Sequence, residues 1–331
     1  MRKIKWGILS TAKIGLQKVI PAMQEGMYCE IAAIASREPG KALPAAQALN
    51  IPKAYDSYDA LLSDPEIEAV YIPLPNHLHV EYAEKALANG KHVLCEKPIA
   101  LSADQAQRLA DTAAKYPKLK LMEAFMYRFH PLWHKAKQLA KEGVIGEVRT
   151  IQAFFSYYND DPKNIRNIKE AGGGGLMDIG CYCISQSRFI LEEEPIRVMG
   201  IVNYDPATHT DRQTSAILDF GNVTCTFTCS TQLNPFQRFH IFGTRGSIEV
   251  EIPVNIPHDA PSRIFVHKAG QATEEISFEA VNQYTLQGDA FSKAIIDNTE
   301  VPTSIEDAVN NMKVIEAVEE SGKTSRWVNV I

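Results

Sequence analysis

The sequence predicts an α/β chain: a doubly wound parallel sheet first, then an α+β domain built on a large, mostly antiparallel open sheet. Up to Met122, short apolar runs alternate with segments of helical period, the pattern of a parallel sheet with crossover helices. From about Gly146 the strand signals lengthen and follow one another directly, which favours antiparallel pairing. These later strands are expected at Glu147 to Tyr157, Ile196 to Asn203, Ser215 to Phe220, Val223 to Thr231, Arg238 to Phe242, Ser247 to Ile252 and Arg263 to Val266. Two helices, roughly Tyr284 to Asn298 and Ser304 to Ser321, close the chain. The pattern change sets the expected domains at 1–122 and 123–331.

The first strand, Ile4 to Leu9, runs straight into Ser10-Thr11-Ala12-Lys13-Ile14-Gly15. A helix should follow, with Leu16, Val19, Ile20 and Met23 on one buried face. Strand, small-residue turn and helix form the context of a dinucleotide fingerprint, in which the backbone approaches a pyrophosphate at a helix N-terminus. Only the third glycine of the G-x-G-x-x-G pattern is present; Ser10 and Ala12 fill the first two places. Both are small, so Ser10, Thr11, Ala12, Lys13 and Ile14 are candidate cofactor contacts in a Rossmann-type domain.

The second strand, Glu30 to Ala35, ends in Ser36-Arg37, with Lys41 beyond. An acid at this strand end would hold a free ribose 2′-hydroxyl, whereas an arginine suits a 2′-phosphate. Ser36, Arg37 and Lys41 therefore favour NADP over NAD. A third strand, Ala69 to Ile72, leads into Pro73-Leu74-Pro75-Asn76-His77-Leu78-His79. Asn76 is expected to cap the following helix and Gly90 to end it. His77 and His79 stand two apart, on different sides of a helix, and make a poor metal pair.

A fourth strand, His92 to Cys95, ends in Glu96-Lys97-Pro98. Lysine is rare in a core unless paired or functional, and ligands of open α/β sheets bind at the carboxyl ends of strands. The alternative is a solvated lysine paired with Glu96. Further along, Asp178 and Tyr182 lie four apart on a helix that opens just after the four glycines Gly172 to Gly175. Such a run tolerates unusual backbone angles and leaves room for a ligand.

The Pro75-Asn76-x-x-His79 turn, Glu96-Lys97-Pro98, the stretch Glu123-Ala124-Phe125-Met126-Tyr127-Arg128-Phe129-His130-Pro131 and Gly172 to Tyr182 together resemble the glucose–fructose oxidoreductase family, also called Gfo/Idh/MocA. The run Gly173 to Cys183 is most similar to its dimeric dihydrodiol dehydrogenase and NADP-dependent D-xylose 1-dehydrogenase branch, which carries tyrosine where most of the family has histidine. The resemblance spans essentially the whole chain. It implies an NAD(P)-binding Rossmann domain over 1–122 and a substrate-binding and oligomerisation domain over 123–331. It also adds Leu74, Pro75, Asn76, His79, Glu96, Lys97 and Arg128 to the candidate cofactor contacts.

Oxidising a carbinol sends a hydride to the nicotinamide and a proton to a base. A free tyrosine, with a pKa near ~10, is a poor base at neutral pH, but a nearby ammonium favours phenolate. Lys97 and Tyr182 thus form a sensible acid–base pair, with Asp178 orienting the substrate or the pair. Phe155 and Tyr157, from the cluster Phe154, Phe155, Tyr157 and Tyr158, are candidate substrate contacts, since alternation sends only some of these rings to the site. The activity implied is that of a dehydrogenase acting on a sugar, such as D-xylose at C1, or on a cyclic or aromatic dihydrodiol. A nucleotide-binding sensor without chemistry is the competing reading, and it would have no use for Lys97 with Tyr182.

Composition agrees. With 331 residues, 45% hydrophobic and 22% charged, the chain supports two domains with their own cores. A net charge of −6 without a basic tract argues against nucleic acid or anionic membrane as partners. The absence of a membrane-length apolar run or a leader pattern gives the expectation of a cytoplasmic protein. Cys225 and Cys229 alternate with threonines, as small apolar residues on a half-buried strand do, and the six cysteines lack metal spacing. An antiparallel sheet covered on one face leaves the other to water or to a second copy. The resemblance favours a homodimer or homotetramer built through that sheet.

Overall fold

The computed structural model describes residues 2–330. The chain divides into two compact units, residues 1–126 with 282–309, and residues 127–281 with 310–331.

The first unit is a parallel sheet of β1 (Ile4–Leu9), β2 (Cys29–Ala35), β3 (Lys53–Tyr55), β4 (Ala69–Ile72), β5 (His92–Cys95) and β6 (Leu121–Glu123). Their order is β3-β2-β1-β4-β5-β6, all pairings parallel. Strands β1, β4 and β5 are nearly fully buried, as sheets covered on both faces require. The helix Gln283–Asp297 returns from late in the sequence to this unit: Phe291 packs on Trp6, whose indole N–H donates to Ser292 Oγ at 3.1 Å. Sequence periodicity marks that helix but carries no sign of which sheet it covers.

Two local expectations are corrected. The helix after the first turn is not regular: residues Gly15–Val19 form a π turn before the α-helix Ile20–Gln24. Pro21 lacks the N–H that a regular ladder needs, and the Ile20 N–H bonds Gly15 O, five residues back. Asn76 does not cap the next helix. It opens a 3-10 turn, Asn76–Leu78, and the α-helix His79–Ala88 begins behind Leu78 with no side-chain cap. Gly90 does end that helix, at φ 73°. At the start of helix Ala103–Ala113, Ser102 Oγ accepts the Gln105 N–H and caps the helix.

The second unit is a nine-stranded sheet of β7 (Val148–Tyr158), β8 (Arg197–Tyr204), β9 (Asp211–Asp219), β10 (Thr224–Ser230), β11 (Gln232–Gly243), β12 (Gly246–Val250), β13 (Ser262–Lys268), β14 (Glu274–Phe278) and β15 (Val328–Asn329). The order is β14-β13-β12-β11-β7-β10-β9-β8-β15. Only β7 with β10 is parallel. One face is buried: Ile151, Phe155, Cys225, Phe227, Cys229, Phe239 and Ile241 lie under helices that include Cys181–Leu191 and Pro131–Lys141. The other face carries the exposed apolar residues Ile201, Ile217 and Phe236, with the Phe154 ring 5.5 Å from that of Phe236. Strand alternation thus separates Phe154 from Phe155. No helix among the described residues is long and apolar enough to cross a membrane.

Candidate functional site

In the first unit, the turn after β1 is held in an unusual shape. Ser10 adopts φ 136°, a region open to glycine and costly for other residues. Its hydroxyl donates to Pro73 O at 3.1 Å and accepts the Ala12 N–H at 3.1 Å. The serine in the fingerprint's first place therefore keeps the glycine conformation and supports it with its own side chain. At Gly15, by contrast, an added Cβ would meet protein atoms no closer than 3.6 Å, so internal packing does not demand glycine there.

At the end of β2, Ser36 Oγ accepts the Glu38 N–H and the Arg37 guanidinium lies over the Tyr58 ring, 5.4 Å from its centroid. Lys41 forms an ion pair with Glu38. Beyond β4 and β5, the His79 side chain is fully buried: Nδ1 is 2.8 Å from Pro98 O and Nε2 is 2.7 Å from Leu74 O. Burial pushes its pKa down to about 4, against the pull of the two carbonyls. The imidazole ties the Lys97-Pro98 segment to the Leu74-Pro75 turn, so its ring nitrogens face the protein and not a groove. Buried Glu123 anchors the same segment by accepting the Ile99 N–H at 2.7 Å. Glu96 accepts the Tyr71 hydroxyl at 2.5 Å.

In the second unit, the glycine run precedes a π turn, Leu176–Gly180, that continues as the helix Cys181–Leu191. Asp178 and Tyr182 fall on the first turns. Tyr157 Oη donates to Asp178 Oδ2 at 2.5 Å, and Arg166 Nε donates to the same oxygen at 2.9 Å. Burial, then the Asp178 charge, pushes the Tyr157 phenol well above the usual tyrosine range, so Tyr157 remains a donor. Tyr182 is 5% exposed; its ring meets those of Phe155 and Tyr127 edge to face, each at 6.1 Å. Arg128 is also buried and donates to Ser185 Oγ at 2.8 Å.

Each inner glycine of the run has a steric reason. A Cβ on Gly173 would lie 2.5 Å from Arg166 O, and one on Gly174, at φ 125°, would lie 2.0 Å from Asp211 Oδ1. Asp211 is a buried carboxylate on β9 whose Oδ2 accepts the Leu176 N–H at 2.7 Å and the Thr214 hydroxyl at 3.1 Å. Burial pushes its pKa up to about 7. Sequence reasoning missed Arg166 and Asp211. Both lie in polar stretches without periodicity, and their partners are distant in sequence.

A model described as "Oxidoreductase family, NAD-binding Rossmann fold" matches residues 4–125, and the GFO/IDH/MocA C-terminal domain matches residues 133–249. An uncharacterized oxidoreductase of Rhizobium meliloti is 42% identical over the full length of both chains. D-xylose 1-dehydrogenase (NADP(+)) 2 of Haloferax volcanii is 36% identical, covering 98% of this chain and 99% of its own. Among solved structures, a 3-ketoreductase from Actinomadura kijaniata in complex with NADP and TDP-benzene is similar, with a TM-score of 0.91, 28% identity and coverage of 96% and 98%.

Proposed function

Because this chain belongs to the Gfo/Idh/MocA oxidoreductase family, we infer that it moves a hydride between NADP and a carbinol of a sugar or cyclic diol. The observation that carries the reading is the grouping of Tyr182, Asp178, Tyr157 and Arg166 at one helix start.

The residues present fit the cofactor. Internal packing does not demand glycine at position 15, and the turn before it, shaped by Ser10, suits a pyrophosphate contacted by Ser10, Thr11, Ala12, Lys13 and Ile14. Ser36 and Arg37 suit a 2′-phosphate, with Lys41 sharing its charge with Glu38. Leu74, Pro75, Asn76, Glu96, Lys97 and Arg128 complete the proposed contacts, and His79 holds the segment that carries Lys97. When bound, the oxidised cofactor accepts the hydride. Tyr182, supported by Lys97, takes the hydroxyl proton in oxidation and returns it in reduction. Asp178, paired with Arg166, orients Tyr157 and a substrate hydroxyl. Phe155 backs the Tyr182 ring.

The xylose dehydrogenase relative supports D-xylose at C1 as the substrate, and an aromatic dihydrodiol is the alternative. A panel of aldoses, polyols and dihydrodiols, read as NADPH formation, decides between them; no turnover of any carbinol would sink the proposal. With the best substrate, Arg37→Ala should raise the KM for NADP and leave NAD use nearly unchanged. Equal loss with both cofactors would remove Arg37 from the site. The apolar outer face around Ile201, Ile217 and Phe236 is proposed to bury against a second copy, forming a homodimer or homotetramer. Sedimentation of a monomer at micromolar concentration would overturn that.

A further inference from the structure

Arg166 is fixed more firmly than a half-exposed arginine requires. The Asn164 side chain accepts its backbone N–H at 3.1 Å, and its carbonyl accepts the Gly174 N–H at 2.8 Å. Gly173 is pressed so close to that carbonyl that no side chain fits. The guanidinium donates through Nε to Asp178 Oδ2. Three hydrogen bonds on one residue, one of them from the glycine run, place this cation in the Asp178 cluster. It also lies within electrostatic reach of the Tyr157 and Tyr182 phenols.

The charges around Tyr182 explain why a cation is needed. Asp178 sits one turn before it on the same helix, and a carboxylate there opposes formation of a phenolate. Tyr157 on β7 is neutral and bonded to Asp178, and the charge of buried Asp211 on β9 also opposes ionisation of Tyr157. Tyr127 packs on the Tyr182 ring and is itself contacted by Arg128, whose Nε donates to the Tyr127 hydroxyl at 3.3 Å. Arg166 sets a positive charge against the Asp178 carboxylate one turn from the group that must lose a proton.

We propose that Arg166 is a positioning residue of the acid–base site: by pairing with Asp178 it cancels the carboxylate's charge beside Tyr182 and so brings the phenolate within reach of working pH. This rests on the reading that Tyr182 moves the proton. The pair serves two ends at once, since the same Asp178 oxygen that holds Arg166 also orients Tyr157.

The test is a pH titration of Tyr182 by NMR of tyrosine labelled with carbon-13 at Cζ, its signal assigned by loss in Tyr182→Phe. Arg166→Met should raise the Tyr182 midpoint by about 1–3 pH units, the usual effect of removing a nearby opposite charge. Arg166→Lys should restore most of the shift. Adding Asp178→Asn to Arg166→Met should also bring the midpoint back, because the anion to be cancelled is gone. The rising limb of the kcat profile should move with the midpoint, while KM changes less than threefold. A midpoint that Arg166→Met does not move overturns the proposal. So does a wild-type Tyr182 that fails to titrate below about pH 11, or a loss confined to KM, which would make Arg166 a direct substrate contact. Retained turnover in Tyr182→Phe would instead defeat the assigned proton carrier, while the titration still decides what Arg166 does to the phenol.

Discussion

The helix that starts at Gly15 and the one that starts at Leu176 both open with a five-residue π turn after a stretch of small residues. They use their missing side chains in opposite ways. At Gly173 and Gly174 the space of a Cβ is filled by the protein itself, by the Arg166 carbonyl and the Asp211 carboxylate. At Gly15 nothing of the protein comes closer than 3.6 Å, and the positive φ of the preceding turn falls on Ser10, which supports it with two hydrogen bonds. Small residues in the second unit serve internal packing that locks Asp178 and Tyr182. In the first unit a Cβ at Gly15 would meet Pro73, Ile20 and Tyr71 only at ordinary contact distance, so internal packing does not dictate the glycine there.

The comparison breaks most visibly if the second helix carries no chemistry. Tyr182→Phe keeps the ring packing and removes the oxygen, so kcat should fall by about 10²–10⁴ with little loss of stability. Lys97→Met should do likewise, and the double variant should be scarcely worse than the more damaging single one. Near-normal turnover in Tyr182→Phe would leave that tyrosine as packing alone. Next in size is the contrast between glycines. Gly174→Ala should cost about 2–4 kcal/mol in urea unfolding, from a forbidden φ and a clash with a buried carboxylate. Gly15→Ala should change stability by no more than about 1 kcal/mol yet weaken NADP binding measured by calorimetry. Equal stability losses would erase the distinction.

Asp211 gives a pH test of the same locking. Its native pKa of about 7 lies above the ordinary value of 3.8. Between those values the folded chain holds a proton that the unfolded chain has released, so stability falls as pH rises through this window. The full effect is roughly 4 kcal/mol at most. Melting temperatures from pH 4 to 8 should therefore fall more steeply for the wild type than for Asp211→Asn; parallel curves would show that the carboxylate is not desolvated. The smallest effect is expected at Ser10. Ser10→Gly relieves the backbone at φ 136° but loses the two side-chain bonds, for a net change within about 1 kcal/mol. A loss much larger than that would mean the serine hydroxyl, and not the shape of the turn, holds the first cradle.

Much of the proposed site rests on residues that carry a local signal. Lys97 stands out because a charge ends an apolar strand, and Asp178 with Tyr182 because they share a helix face after four glycines. The resemblance alone makes His79 a cofactor contact; its ring nitrogens meet carbonyls at positions 74 and 98, which only folding brings together. Arg166 and Asp211 carry no local signal. One reaches Asp178 across 12 positions and the other reaches Leu176 across 35.

By itself, the sequence determined the elements whose physics is local. Strands β1, β4 and β5 appear with the bounds their apolar runs indicate, because a strand buried on both faces must be continuously apolar. The alternation in β10 buries Cys225, Phe227 and Cys229 for the same kind of reason. The tertiary structure decided everything that depends on which distant groups meet. It returned helix Gln283–Asp297 to the first sheet, aimed Phe155 at Tyr182 while turning Phe154 to the opposite face, and set Arg166 and Asp211 against the glycine run. Periodicity states that a side chain has a face; only packing between elements far apart in sequence states what that face meets.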